Sequence, residues 1–214
     1  METKPKAGGN FNAVAPIYDL LAFLVFGRKL QQAQLTWLNR IPTGATVLLV
    51  GGGTGWLLQQ VLTRCKPKRV VYLEASAQML ARASRRMVRL SVMGSVEFRL
   101  GDETSLTDEE RFDVILTPFV LDLFSESFLQ DSFVPRLYSV LKPGGLWLVT
   151  DFVPTTVGWQ RALLWIMIRF FRLTAGIQTR QLANWQRVLA VANLSAREQG
   201  YHLKGMVATD VWVR

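Results

Sequence analysis

Residues 47–55 read Val-Leu-Leu-Val-Gly-Gly-Gly-Thr-Gly, an aliphatic run that changes abruptly to glycine. The aliphatic residues predict a buried strand, and the residues after Gly55 predict a helix. Glycine at positions 51, 53 and 55 allows positive φ angles and lets a ligand approach the backbone closely. The amides at the start of the following helix can then face a polar or anionic group. This stretch predicts a ligand-binding turn, whose identity depends on the residues that follow.

The composition predicts one folded domain of 214 residues, of which 50% are hydrophobic. That apolar content argues against disorder. A single cysteine and a single histidine exclude a disulfide framework and argue against a Cys/His metal site, so we expect no metal. No apolar run reaches the roughly 18 to 20 residues that span a bilayer. We therefore expect a reduced, cytoplasmic location.

The positive charge of +9 is unevenly distributed. Residues 64–89 are rich in arginine and lysine with Glu74 as their single acid, whereas residues 90–150 are predominantly acidic. A basic surface attracts nucleic acid or anionic lipid. A solvated helix face and a basic loop explain the same pattern, so nucleic-acid binding is not the favoured interpretation.

Strands and helices alternate along most of the chain, which predicts βαβ units and a doubly wound, mostly parallel α/β sheet. The predicted strands are 46–50, 69–73, 95–99, 112–117 and 146–152, and the predicted helices are 55–64, 76–90, 107–110 and 125–141. The last two runs, 195–203 and 206–213, predict an antiparallel hairpin.

The remaining segments are assigned to a single domain, residues 1–214. Residues 1–10 are expected to form a flexible tail and residues 11–40 an N-terminal helical lid. Residues 155–193, with predicted helices at 158–173 and 179–193, form a helical insertion between the fifth and sixth strands.

Two acids lie where a nucleotide would need them. Glu74 ends the second predicted strand, 19 residues beyond Gly55, where a carboxylate can accept hydrogen bonds from ribose hydroxyls. Asp102 follows the third strand at the same edge of the sheet and can accept from an exocyclic amine. Each also has a simpler explanation: Glu74 as a favourable charge at a helix N-terminus, and Asp102 as a loop acid or helix cap.

Taken together, these motifs resemble the class I S-adenosylmethionine-dependent methyltransferases. The matching elements are Val47–Gly55, Glu74, Gly101-Asp102, residues 112–116 and residues 141–145. The resemblance implies a seven-stranded Rossmann-like sheet of order 3-2-1-4-5-7-6. It also implies S-adenosylmethionine as cofactor and methyl transfer to a small molecule. The segment Ala15-Pro16-Ile17-Tyr18-Asp19 is similar to the entry segment of small-molecule members, including those that methylate quinone precursors.

The same resemblance implies the cofactor-binding residues. The three turn glycines would line the methionine portion, and the two acids the ribose and the adenine amine. The implied set is Gly51, Gly53, Gly55, Glu74, Met79, Asp102 and Thr117, with Met79 near the adenine and Thr117 beside the methyl group. One position departs from the family, which commonly has an acid where this chain has Leu49. Tyr18 and Asp19 are candidates to compensate.

The acceptor is expected to be small and largely apolar. Residues 117–121 read Thr-Pro-Phe-Val-Leu, and they lack the acids of the otherwise similar aminopropyltransferases. If the acceptor loses a proton, a base is required. The candidates are Tyr18, Asp122, Asp151 and His202. Helix capping explains Asp122 equally well, and a structural or surface role is the favoured explanation of His202.

Residues 158–173 combine aromatic residues with Arg161, Arg169 and Arg172, so peripheral membrane contact is one interpretation. Core packing and a dimer contact are the others, and the chain is expected to be a monomer or a homodimer. Three further functions stay open beside small-molecule methylation. They are an RNA methyltransferase that uses the basic face, a cofactor-binding protein without catalysis, and an aminopropyltransferase-like enzyme.

Overall fold

A computed structural model describes residues 27–91, 96–175 and 181–214. Its centre is a seven-stranded sheet of order β3-β2-β1-β4-β5-β7-β6. The strands are β1 (Thr46–Val50), β2 (Arg69–Glu74), β3 (Val96–Leu100), β4 (Phe112–Pro118), β5 (Leu141–Phe152), β6 (Ser195–His202) and β7 (Val207–Val213). The first five are parallel, and β7 pairs antiparallel with both β5 and β6. The predicted fold class and strand order are confirmed.

Helices cover both faces of this sheet. They are α1 (Lys29–Leu35), α2 (Trp56–Cys65), α3 (Ala77–Arg89), α4 (Glu126–Phe128), α5 (Val134–Val140), α6 (Gly158–Ala175) and α7 (Trp185–Val191). A π-helical turn, Leu129–Phe133, joins α4 to α5. Of the predicted N-terminal lid, only α1 and a 3₁₀ turn at Leu38–Arg40 fall within the described residues. The predicted insertion 155–193 contains α6 and α7.

The central strands are apolar on both faces because helices cover both. In β1, Val47 and Leu49 pack against one layer of the core, and Leu48 and Val50 pack against the other. None of these side chains is more than 6% exposed. This double burial fixes β1 at the centre of the sheet, so the glycine turn that follows it emerges at the carboxyl edge.

Three predicted boundaries were wrong. The helix predicted at 179–193 begins only at Trp185, because the Asn184 side chain caps it by accepting the Arg187 amide. Residues 107–110 form a turn, in which the Thr107 amide donates to the Glu110 side chain, and the short helix lies earlier, at Glu103–Ser105. The long helix ends at Val140, because Leu141 already pairs with Phe112 in the sheet. The predicted turn at residues 142–145 is therefore part of an irregularity within β5, where the pairing register shifts.

Candidate functional site

The glycine turn has the backbone that its sequence predicts. Gly51, Gly53 and Gly55 have φ angles of 66°, 61° and 83°. The turn packs tightly against its surroundings: a Cβ placed on Gly55 would lie 2.8 Å from the Cβ of Ala83 in α3. Gly53 differs, since among the described residues its added Cβ would meet only the Met79 sulfur, at 3.7 Å. With respect to this part of the chain, the backbone around Gly53 is open to a ligand on that side.

Glu74 lies beside this turn at the end of β2 and is only 7% exposed. Its Oε2 accepts the Gly53 amide at 3.0 Å, and its Oε1 accepts the Ser76 amide at 2.9 Å. Burial raises the pKa of this carboxyl, against the opposing effect of the amides of Ser76, Gly53 and Ala75. Because a carboxylate offers about four acceptor positions, the group retains capacity for a ligand hydroxyl.

The remaining predicted cofactor residues occupy different environments. Met79 is buried in the first turn of α3 and faces Gly53. Asp102 is exposed at the carboxyl edge and caps a 3₁₀ turn, accepting the Thr104 amide at 3.1 Å. The Thr117 side chain is fully buried, and its hydroxyl accepts the Trp147 indole N–H at 3.0 Å. Thr117 can therefore face a cofactor only through its backbone.

The strand end that delivers the turn is apolar. Leu49 is fully buried and belongs to the core on the α2 side of the sheet. Tyr18 and Asp19, the residues expected to compensate for the missing acid, lie outside the described residues. Sequence reasoning missed a polar group beside Leu49. This group is Tyr72, the register partner of Leu49 in β2, whose hydroxyl donates to the Gly53 carbonyl at 2.7 Å. Its signal in the sequence is weak, because a tyrosine within a buried strand is ordinary core composition.

Two other predicted candidates lie together: Asp122 in the loop after β4 and Asp151 near the end of β5. Asp151 is fully buried, and its Oδ2 accepts the amides of Val120 and Leu121 at 3.0 and 2.7 Å. Burial and then the charge of Asp122 raise the pKa of Asp151. Burial likewise raises the pKa of Asp122 to about 6, opposed by a hydrogen bond with Asp151. Two neighbouring carboxyls in an apolar setting titrate as a pair and favour a shared proton.

Asp122 also borders an apolar cavity beneath α6. The other lining residues are Leu123, Phe152, Leu164, Met167, Ile168 and Leu182. The Oδ1 atom of Asp122 is buried and has no amide or hydroxyl partner among the described residues. The cavity has a volume of about 10 Å³, the space of a single water molecule, so Asp122 lies in an apolar niche and not in a formed acceptor pocket.

His202 is held elsewhere, between β6 and α1. Its Nε2 lies 3.0 Å from the Thr36 hydroxyl and 3.4 Å from that of Thr209. Burial lowers the pKa of its imidazole. These contacts give His202 a structural setting at the flank of the sheet, away from the glycine turn. Among the described residues no cluster of His, Cys, Asp and Glu forms a metal site.

Comparisons with known proteins agree with this geometry. A methyltransferase domain family matches residues 47–145. The ubiquinone/menaquinone biosynthesis C-methyltransferase UbiE of Hydrogenovibrio crunogenus is 30% identical over 159 residues, covering 72% of this chain and 61% of that protein. The chain thus spans about three fifths of the length of this curated relative.

Solved structures share the fold at lower identity. A putative methyltransferase in complex with the Trm112 activator of Haloferax volcanii superposes with a TM-score of 0.71 at 15% identity, covering 96% of this chain and 97% of that one. The N-methyltransferase NodS of Bradyrhizobium japonicum, bound to S-adenosylhomocysteine, gives 0.66 at 15% identity, covering 95% and 98%.

The fold, the glycine turn and the buried acid at the end of β2 define a Rossmann-like methyltransferase domain. Residues 47–145 match the methyltransferase domain family, and the chain is similar to S-adenosylmethionine-dependent methyltransferases. The residues present fit an adenosyl cofactor: the backbone at Gly53 is approachable, and Glu74 is fixed beside it with acceptor capacity left.

Proposed function

We propose that this protein transfers a methyl group from S-adenosylmethionine to a small, largely apolar acceptor. The observation that supports this most directly is the Glu74 carboxylate, held 3.0 Å from the Gly53 amide at the carboxyl edge of the sheet. In open α/β sheets, ligands bind at this edge. An acid that only caps a helix does not need a contact with the glycine turn. Because Glu74 is buried and also accepts the Gly53 amide, a role in ribose binding explains it better than a cap alone.

In this proposal the cofactor lies across the ends of β1 and β2. Gly51, Gly53 and Gly55 contact its methionine portion through the backbone, and Glu74 accepts from the ribose hydroxyls. Met79 packs near the adenine, and Asp102 accepts from the adenine amine. Thr117 contributes main-chain contact only, because its hydroxyl is already bonded to Trp147.

The acceptor would bind beside Asp122, in the apolar region beneath α6, which would have to open because the cavity there is only about 10 Å³. When bound, the cofactor would supply a methyl group on a positively charged sulfur, which needs no protein nucleophile. The apolar side chains around Asp122 would exclude water from the acceptor. Asp122 would take the proton that the acceptor releases.

The relatives support an apolar acceptor but do not identify it. UbiE is named for C-methylation in ubiquinone and menaquinone biosynthesis. Transfer to carbon in a quinone-like ring suits apolar surroundings with one carboxyl, such as those of Asp122. A base with a pKa near neutrality is suited to such an acceptor, and burial raises the pKa of Asp122 to about 6.

Thermal unfolding with S-adenosylhomocysteine tests the cofactor site. Millimolar ligand is expected to raise the Tm of the wild type, and Glu74→Ala and Gly53→Val are expected to abolish this shift. Glu198→Gln is a matched control. Glu198 lies on β6, at the edge of the sheet away from the turn, and its side chain forms an ion pair with Arg40. A wild type whose Tm does not respond to millimolar ligand contradicts the proposal. So does an unchanged shift in Glu74→Ala.

Peripheral membrane contact through residues 158–173 is a second part of the proposal. The outer face of α6 exposes Trp159, Trp165 and Ile166, each more than half exposed. Arg161, Arg169 and Arg172 lie on the same exposed side, and Arg169 stacks over Trp165 at 4.8 Å. Aromatic residues beside cations are typical of a helix that lies on an anionic lipid surface.

Vesicle co-sedimentation tests this contact. Vesicles with anionic lipid should bind the protein more strongly than neutral vesicles, and Trp159→Ser with Trp165→Ser should remove the binding. A double variant at exposed valines of two other helices, Val88→Ser in α3 with Val191→Ser in α7, is the matched control. Equal binding of the wild type and the tryptophan variant would exclude this contact. None of the described helices is both long and apolar enough to cross a membrane.

The other functions receive less support. The basic side chains of α3 are mostly exposed, which suits a solvated face as well as an RNA contact. The loop after β4 brings no acid toward an aminopropyl acceptor apart from Asp122, which is directed into an apolar cavity. A cytoplasmic location stays part of the proposal, supported by the single, buried thiol of Cys65. Whether the protein is a monomer or a homodimer is a matter for a solution mass measurement.

A further inference from the structure

Gly53 is held by both of its peptide groups, and both contacts come from β2. Its N–H donates to Glu74 Oε2 at 3.0 Å, and its carbonyl accepts the Tyr72 hydroxyl at 2.7 Å. Residues 72 and 74 are two apart in a strand, so their side chains leave the same face of the sheet. One face of β2 therefore clamps the middle of the glycine turn.

The position of Tyr72 follows from the pairing of β1 with β2. Leu49 and Tyr72 are register partners in the parallel pair, and both are fully buried. A Cβ on Gly52 would collide with the Leu49 side chain and would lie 2.5 Å from Tyr72 Cε2. Leu49 and Tyr72 together fill the space beneath the turn. β1, which leads into the turn, contributes the apolar side chain of Leu49 there. β2, its neighbour, contributes the hydroxyl of Tyr72.

Packing alone does not account for a tyrosine at this place. The ring of Tyr72 packs against Phe98 with centroids 5.6 Å apart, a contact that phenylalanine would make equally well. A buried hydroxyl costs free energy unless it is hydrogen-bonded, and here it bonds the turn. The turn needs such a bond, because glycine-rich backbone loses more conformational entropy than other backbone when it is ordered. A turn ordered in advance leaves less of that cost to be met on binding.

We propose that Tyr72 is a positioning residue for cofactor binding, which fixes the Gly53 peptide for the ligand from the strand next to Leu49. This inference rests on the proposed function. In this inference the Tyr72 hydroxyl of β2 holds the glycine turn, at a place where β1 has the apolar residue Leu49. Tyr72 acts through Gly53 and does not itself contact the cofactor.

The test compares Tyr72→Phe with the wild type by titration calorimetry with S-adenosylhomocysteine and by steady-state kinetics. Loss of one hydrogen bond that orders the site should weaken binding about five- to tenfold. KM for the cofactor should rise by a similar factor, and kcat at saturating cofactor should stay within about twofold. In the protein without ligand, amide hydrogen exchange of residues 51–55 should be faster than in the wild type.

Phe98→Leu separates positioning from general stability. It weakens the same ring contact and leaves the Tyr72 hydroxyl in place, so it should lower the Tm without changing cofactor affinity. Tyr201→Phe, on an exposed tyrosine of β6, should change nothing. If Phe98→Leu weakens binding as much as Tyr72→Phe does, the role of Tyr72 is structural and the inference is overturned.

The possible failures are distinguishable. A wild type that does not bind S-adenosylhomocysteine overturns the proposed function together with this inference. A wild type that binds, beside a Tyr72→Phe variant with unchanged affinity and unchanged exchange, overturns the inference alone.

Discussion

Asp151 Oδ2 accepts the backbone N–H of Leu121 at 2.7 Å, which ties the end of β5 to the loop after β4. The same oxygen accepts the amides of Val120 and Asp122, at 3.0 and 3.4 Å. Val120 in turn packs against the glycine turn, since a Cβ on Gly51 would lie 2.5 Å from Val120 Cγ2. One buried carboxyl group thus orders the loop that packs against the glycine turn.

Asp151→Ala should therefore be strongly destabilising. It leaves several buried amides without an acceptor, and the expected loss in the free energy of unfolding is about 3 kcal/mol. Urea denaturation at pH 7 measures it. Asp131→Ala, at an exposed acid, should change stability by less than about 0.5 kcal/mol. A similar, small effect of both variants would show that the Asp151 contacts do not hold the loop.

The carboxyl pair makes stability depend on pH. Burial raises the folded-state pKa of Asp122 to about 6 from 3.8, so the folded protein retains a proton that the unfolded chain releases. The contribution of this group is complete below about pH 4 and is lost as pH rises toward 6. The pKa of Asp151 is raised in the same direction.

Asp122→Asn should remove most of this dependence. The variant should exceed the wild type in free energy of unfolding by about 2 kcal/mol at pH 8, with the difference vanishing near pH 4. Comparing the two proteins cancels the acids whose pKa is lowered by ion pairs, such as Glu110 and Asp113. A constant difference from pH 4 to pH 8 would argue against a raised pKa at Asp122.

The same substitution should reduce methyl transfer while sparing the cofactor. Removal of a general base lowers kcat by a factor on the order of 100 or more. Affinity for S-adenosylhomocysteine should stay within about twofold, because Asp122 borders the cavity beneath α6 and not the glycine turn. Isotope transfer from labelled cofactor to an extracted acceptor, beside calorimetry, measures both. Unchanged turnover would leave Asp122 with a structural role.

Gly55→Ala should disrupt the turn. Its φ of 83° is unfavourable for alanine, and the new Cβ would lie 2.8 Å from that of Ala83. Strain and overpacking together should cost about 2 to 4 kcal/mol. Gly158→Ala is the matched control, because it begins α6 and no atom of residues 27–91, 96–175 or 181–214 lies within 4 Å of its added Cβ. Thermal unfolding compares them, and equal Tm values would contradict the tight packing of the turn.

Thr117→Val should separate structure from binding. It removes the acceptor of the buried Trp147 N–H, which should cost about 1 to 3 kcal/mol of stability. Because the Thr117 side chain faces Trp147, affinity for S-adenosylhomocysteine should not change. Weaker binding by a correctly folded variant would restore Thr117 as a side-chain contact of the cofactor.

Much of the fold was predictable because local signals and topology agree. The aliphatic run before Gly51 and the helix after Gly55 follow from composition, and the alternation of strands with helices predicts parallel pairing. Boundaries were predicted less well where side chains satisfy the backbone locally, as at Thr107 and Glu110. The end of α5 at Val140 was also missed, because sheet pairing by Leu141 depends on a distant strand.

The sequence by itself determined the sheet, the glycine turn and the acid at the end of β2, because each depends on residue type and on spacing along a few neighbouring residues. Only the tertiary structure decided which side chains meet. It directed Thr117 into the core against Trp147 and brought Tyr72 beneath the turn through the pairing of β1 with β2. It also joined Asp122 to Asp151, 29 residues away. These contacts arise from strand register and packing between distant segments, and no local pattern encodes them.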